Sequence, residues 1–302
     1  MSHISLPAGA FSGESRTALA REARRERTLF LGLALPALLI VGLCALLPVL
    51  WIVRQSFLSI GGDVTFANYE RLFGSSLTLA TFETTLLLSA ATLALCMLLG
   101  LPLALVLAAA SPRTANRLLI LVMLPLWTSI LVRTYGWLVI LGRDGLANDV
   151  LVGSGLVDAP LALVYNFTGT LVGMVHFMLP LFVLPVYAAF RDIDRNAIRA
   201  SASLGASFWR TLRSVVLPLA SGGIASGSMI VFVYTLGFFI TPAILGGGRV
   251  TPIAIRIERN LSTFQDWGAA SALGVLLLLL VAIVATALSG VRRLLRRQPA
   301  GA

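Results

Sequence analysis

The sequence predicts an all-α polytopic membrane protein with six transmembrane helices and both termini in the cytoplasm. Three observations lead there. Of 302 residues, 58% are hydrophobic and only 12% charged, and the mean hydropathy is +0.92, which excludes an ordinary water-soluble chain. Six apolar runs meet the requirement of roughly 20 residues for a spanning helix; they lie at about 29–53, 82–110, 117–141, 167–190, 216–245 and 268–290. The arginines favour alternate flanks of these runs, as expected where cytoplasmic segments retain positive charge.

In chain order, residues 1–28 form a Ser- and Arg-rich tail with a basic run at Arg21, Arg24, Arg25 and Arg27. That run resembles the start of a signal peptide. The apolar stretch after it is too long for a signal core and lacks a clear small-residue cleavage site, so 29–53 is expected to be an uncleaved first span. An external loop occupies 54–81. The cytoplasmic loop after the second span is short and carries Arg113 and Arg117; the one after the fourth, 191–218, carries five arginines; residues 291–302 add four more in a basic C-terminal tail. With the five of the N-terminal tail, sixteen arginines fall on the cytoplasmic side against six outside, and Arg133 lies within the third span.

The net charge of +10 is thereby assigned to topology rather than to nucleic-acid binding, and the surplus also suits contact with anionic membrane lipid. All 23 basic residues are arginine, so a lysine-bearing phosphate loop and Schiff-base chemistry are both excluded. Cys44 and Cys96 lie inside apolar runs and read as small buried residues rather than a disulfide or metal site. The two histidines, His3 and His176, have no ligand-spaced partners, and the motifs of zinc proteases and serine hydrolases are absent. His176 reads either as a packed helix residue or as a proton relay. Pro36, Pro48, Pro102, Pro125, Pro180 and Pro185 interrupt the spans, either as packing kinks or as flexing points along a gated route.

The loop 191–218 is the longest polar excursion on the cytoplasmic side. Asp192 or Asp194 caps a helix running to about Leu204, Gly205 ends it in the left-handed conformation, and Ser207 caps a second short helix over 208–215. Phe208 and Trp209 beside Arg210 and Arg213 make either a docking surface or a helix resting in the headgroup layer.

Here the chain resembles the inner-membrane permease subunits of binding-protein-dependent ABC importers. Their coupling loop follows Glu-Ala-Ala with three residues, Gly, nine residues, and Ile-x-Leu-Pro. In this sequence Gly205 is followed by nine residues and then Val215, Val216, Leu217 and Pro218, while Arg199, Ala200 and Ser201 occupy the Glu-Ala-Ala positions. The acidic residue is thus replaced by arginine. The resemblance narrows to the spermidine/putrescine permease branch, the B-type subunit, over most of residues 30–290. It is carried by residues 125–137, which include Pro125, Trp127, Thr128, Arg133, Thr134, Tyr135 and Trp137, and by Thr241, Pro242, Leu245, Gly246 and Gly247. Residues 160–187, with Leu179-Pro180 and Leu184-Pro185-Val186-Tyr187, fit as well.

The resemblance implies a type I importer permease fold and a non-catalytic subunit that binds no cofactor. The implied partners are a second permease, of the heteromeric C type, two cytoplasmic ATPases that bind ATP and Mg, and an external substrate-binding protein. The solute is expected to be a polyamine, with an aminophosphonate or another small solute as the alternative. A carrier driven by an ion gradient is the reading of another class; it calls for intramembrane carboxylates, and the spans offer only Glu83 at an edge. Arg133 is expected to face a cavity or a partner, and Glu83, near the outer end of the antiparallel second span, is the candidate partner. Trp127, Tyr135 and Trp137 supply either aromatic faces for a passing cation or an aromatic belt. Thr241, Pro242, Gly246 and Gly247 are expected to mark a turn leaving the membrane.

Overall fold

Backbone groups that cross a bilayer must be satisfied within the segment or within a closed barrel, and this chain uses the first solution. The computed structural model describes residues 13–59 and 61–297. They fall into two compact units, one ending at Arg54 and one beginning at Gln55. The first is essentially a single helix, α1 (Gly13–Ser56), with Pro36 and Pro48 inside it. Much of the tail assigned to 1–28 is therefore helical, because residues 13–28 are rich in alanine, arginine and glutamate, which continue a helix readily. Cys44 is exposed on α1, whereas Cys96 is buried. His3 lies outside the described residues.

In the second unit a short α2 (Ala67–Phe73) precedes α3 (Ser76–Ala109). The buried face of α3 follows helical spacing through Thr78, Thr81, Thr85, Leu88, Thr92, Cys96, Gly100, Ala104 and Leu107. Then come α4 (Pro112–Trp127), α5 (Ile130–Ile140), α6 (Leu146–Gly153) and α7 (Phe167–Arg191). On the cytoplasmic side α8 (Arg195–Ser203) and α9 (Phe208–Thr211) lead through a π-helical turn, Leu212–Val216, into α10 (Leu217–Leu219). The remaining helices are α11 (Ser221–Leu236), α12 (Ile240–Leu245), α13 (Ile253–Ser262) and α14 (Trp267–Arg297). The last of these continues through part of the expected tail 291–302, of which 298–302 lie outside the described residues.

Four helical stretches, 32–56, 76–109, 167–191 and 267–287, are long and apolar enough to cross singly. Two further pairs of helices are long and apolar enough only when taken together, each bent at a break, which corrects the expectation of continuous helices over 117–141 and 216–245. Between α4 and α5 the axis turns by 97°. Pro125 cannot donate a backbone hydrogen bond, and both the amide and the hydroxyl of Thr128 turn back to the Pro125 carbonyl, the latter at 2.9 Å. The second break, 68° between 208–219 and 221–236, follows the π-helical turn and Pro218. Gly237 then ends α11, so 240–245 form a separate helix.

The core lies among α3, α7 and α11. Apolar lipid supplies no hydrophobic drive between spanning helices, so close backbone approach and side-chain contact must hold them. Phe182 of α7 shows how. A Cβ added at Gly100 would stand 2.5 Å from its ring, and one at Gly227 would stand 2.9 Å from its carbonyl oxygen. Met174, Met178, Val183 and Val186 of α7 are buried in the same core as Leu88, Leu107 and Val231.

A second, smaller cluster joins α2, α13 and α14 through Leu72, Ile253, Ala272 and Leu273. Polar ties fix it: Arg71 pairs with Asp266 at 3.5 Å, and the Ile253 amide donates to Thr85 Oγ1 at 2.9 Å. On α13, burial and the neighbouring Arg259 push the Arg256 guanidinium down from its ordinary pKa.

Candidate functional site: a cytoplasmic corner and a broken crossing

The corner at 191–218 is built by local hydrogen bonds. Asp194 caps α8 by accepting from the Asn196 amide at 2.9 Å. Gly205 ends the helix at φ +79° with open space around its Cβ position, and Ser207 accepts from the Arg210 amide to begin α9. Ser201 and Thr211 then tie the two helices together, hydroxyl to hydroxyl at 2.9 Å. Arg199 and Ala200 are exposed on α8. Leu204, Phe208 and Trp209 project farther, at 88%, 63% and 64% exposed, with the two rings edge to face at 5.4 Å. A folded corner that holds three large apolar groups in the open presents a contact surface.

Two roles escaped the sequence reading, and one of the two valines quoted there takes the place expected of the other. Leu204 ends the projecting apolar set, Thr211 is the polar tie, and Val216, not Val215, is the valine that enters the core. The i, i+10 relation between Ser201 and Thr211 across a glycine corner was the available signal for the tie. Leu217 is half-buried and Pro218 exposed at the second break.

The broken third crossing gathers the other candidates. Arg133 curls back over the bend: Nη2 donates to the Thr128 carbonyl at 2.8 Å and Nε to the Thr128 hydroxyl at 3.3 Å. Its guanidinium also stands 5.0 Å from the ring centroid of Phe177 on α7, while Nη1 is buried without a hydrogen-bond partner. The expected pairing with Glu83 is not formed. Among the described residues the one ion pair joins Arg71 and Asp266, and Glu83 is exposed on α3. The Thr128 carbonyl and hydroxyl and the Phe177 ring engage Arg133 in place of a carboxylate, leaving Nη1 unpartnered.

The aromatic candidates separate. Trp127 and Tyr135 face outward at 77% and 55% exposed, whereas Trp137 turns inward and donates through Nε1–H to His176 Nδ1 at 3.0 Å. With Nδ1 accepting, a neutral His176 carries its proton on Nε2. The aromatic group beside Arg133 is instead Phe177, Tyr234 and Phe238, with centroids 5.1–5.9 Å apart. Only the placement of α7 against α11 and the residues just after it would have revealed it.

Thr241 and Pro242 are not in an exit turn but in buried α12, where Thr241 meets Thr134 of α5 at 3.5 Å. The turn comes later: Gly246 caps α12, and Gly247, at φ +55°, lies against Tyr165, itself at φ +57°. A side chain at Gly247 would collide with that ring. Among the described residues no group of three or more His, Cys, Asp or Glu side chains forms a metal-binding cluster.

A bundle of long and broken spanning helices with a folded cytoplasmic corner defines a polytopic permease subunit. Residues 98–297 match the binding-protein-dependent transport system inner membrane component family, and the chain belongs to it. It is 30% identical over 259 residues to the spermidine/putrescine transport system permease protein PotB of Haemophilus influenzae, covering 84% of this chain and 90% of that protein. With PotB of Escherichia coli K12 it shares 29% over 259 residues, covering 83% and 94%. In fold it is similar to a chain of a bacterial alginate ABC transporter solved with its alginate pentasaccharide-bound periplasmic protein: TM-score 0.71, 17% identity, covering 92% of this chain and 98% of that one. The protein is thus an ABC importer permease of the type I fold, a multi-pass inner-membrane subunit, and its role is transport with partner subunits.

Proposed function

We propose that this permease imports a polyamine, spermidine or putrescine. The observation that supports the substrate class is the likeness to two spermidine/putrescine permeases over more than four-fifths of the chain. In this reading it pairs with a second, different permease of the C type, receives solute from an external binding protein, and is driven by two cytoplasmic ATPases. ATP and Mg bind to those ATPases; this chain binds no cofactor and catalyses no reaction.

Closure of the ATPases on ATP pushes the corner formed by α8 and α9. Ala200, Leu204, Phe208 and Trp209 form the pushed surface, and the Ser201–Thr211 tie lets the two helices move as one lever. The lever connects directly to α7 on one side and through Val215, Leu217 and Pro218 to α11 on the other, so the stroke reaches the core as a rigid-body shift. The gate is the bend at Thr128, with Arg133 as its latch, and Trp137, Thr241, Pro242, Gly246 and Gly247 frame the outer part of the route. Trp127 and Tyr135, exposed on this subunit, face the second permease or lipid. Phe177, Tyr234 and Phe238 offer π-faces to an ammonium group at about 0.5–2 kcal/mol per contact.

A second reading keeps the architecture and changes the solute to an aminophosphonate. The buried, unpartnered Nη1 of Arg133 favours it, because an anionic oxygen would complete that guanidinium. Uptake of labelled putrescine, spermidine and an aminophosphonate, in cells lacking the gene and in complemented cells, separates the two. Gene-dependent polyamine uptake is the expected result; dependence confined to the aminophosphonate would discard the polyamine assignment.

A further inference from the structure

At the cytoplasmic end of the bundle a cavity of about 420 Å³ opens between α3, the end of α7 and α8. Its floor is apolar, with Leu105 and Ala108 from the last turns of α3 and Phe190 from the last turn of α7. Its rim carries Arg191, Arg195 and Arg199. These three are spaced by four residues, and the pair on α8, one turn apart, repels itself in the absence of an anion. No acidic residue lines the cavity, and among the described residues none of the three guanidiniums forms an ion pair. Two carboxylates are adjacent in sequence: Asp194 caps α8, and Asp192 lies next to Arg191 but is exposed, outside the cavity lining and in no ion pair. Arg199 occupies the position where the family's coupling loop carries its acidic residue, so this cavity holds a third cation where a carboxylate would otherwise stand.

We propose that this cavity binds the phosphate headgroup of an anionic phospholipid of the cytoplasmic leaflet. Three donors with a fork geometry suit a phosphodiester. The apolar floor at the ends of two spanning helices places the upper acyl chain where a free anion would meet only hydrocarbon, and basic pockets between spanning helices on this side suit such headgroups. Lipid bound there seats the root of α8 against the membrane and so supports the lever from beneath, leaving Leu204, Phe208 and Trp209 free on its other face.

The test uses the complete importer, with its partner subunits, purified and delipidated. Phosphatidylglycerol, phosphatidylcholine and inorganic phosphate are titrated separately and followed by native mass spectrometry. The expected result is a retained phosphatidylglycerol with affinity about tenfold or more above phosphatidylcholine, weakened by added salt. Arg195→Gln with Arg199→Gln should abolish that preference. Arg113→Gln with Arg117→Gln, the same charge loss in the first turns of α4, should leave it within about twofold. Equal binding of the two lipids by the unaltered importer overturns the proposal without any variant. Competition by inorganic phosphate with no lipid preference assigns the site to free phosphate and overturns the lipid. Lipid bound by the permease pair but excluded from the full complex assigns the cavity to an acidic segment of the ATPase, and also overturns it.

Discussion

The core around Phe182 and the bend at Thr128 are held in opposite ways. Phe182 is fully buried between glycines of α3 and α11, so the contact depends on three helices at once. The bend is held largely within its own segment: Thr128 bonds back to Pro125, Arg133 reaches back five residues to Thr128 and touches Phe177 of α7, and the flanking Trp127, Leu131 and Val132 are exposed. A close-packed contact has two states, made or lost, whereas a local latch opens without disturbing its neighbours. The core is therefore suited to carry a stroke and the bend to respond to it.

The largest expected effect breaks the core. In Gly100→Leu the new side chain enters space taken by the Phe182 ring, and overpacking of this kind costs about 3 kcal/mol. Recovery of the assembled importer should fall, with a lower melting temperature in detergent. Normal assembly and full transport would show that α3 and α7 slide past each other and are not a rigid pair.

The next prediction opens the latch. Arg133→Leu removes two charge-assisted hydrogen bonds and the contact with Phe177, about 2 kcal/mol in all. Assembly should persist while uptake falls about tenfold or more, the factor that such an energy represents. Arg133→Lys should recover part of it, because an ammonium reaches the carbonyl but lacks the guanidinium fork. Glu83→Gln should leave the latch unchanged. An Arg133→Leu protein that transports normally would leave Pro125 and Thr128 as sole keepers of the bend.

The corner is intermediate, since a backbone conformation rather than a packed contact sets its shape. Nothing lies within 4 Å of a Cβ at Gly205, so substitution there meets only its φ of +79°. Gly205→Val should cost about 1–2 kcal/mol, leave insertion intact and reduce the ATPase recovered with the permease in a pull-down. Gly205→Asn should lose less, because asparagine tolerates this region. Equal recovery with all three residues would remove the corner from the ATPase contact.

These regions differ in legibility for the same physical reason. The corner was readable because its caps and its glycine act over two to four residues, within reach of sequence spacing. Six apolar runs were readable because length and hydropathy suffice. The breaks were not: Pro125 and Pro180 look alike in sequence, yet α4 ends beyond the first while α7 runs straight through the second. Neighbouring helices decide which proline breaks a span. The partner of Arg133 was missed because intramembrane charge suggested a carboxylate, whereas a carbonyl freed by the bend was nearer.

The smallest effect sharpens the comparison at the outer end of α5. Trp137→Phe retains an aromatic edge against His176 but removes the donor to Nδ1, a bond worth about 1 kcal/mol. If α5 and α7 move together during transport, the bond is common to both states, and the variant should lower the melting temperature slightly with uptake unchanged. If α5 swings away from α7 when the latch opens, the bond belongs to the closed state alone, and its loss should raise idle ATP hydrolysis in the reconstituted importer without solute. The second outcome would place the moving boundary between α5 and α7 and make Trp137, with Arg133, part of what holds the resting state shut.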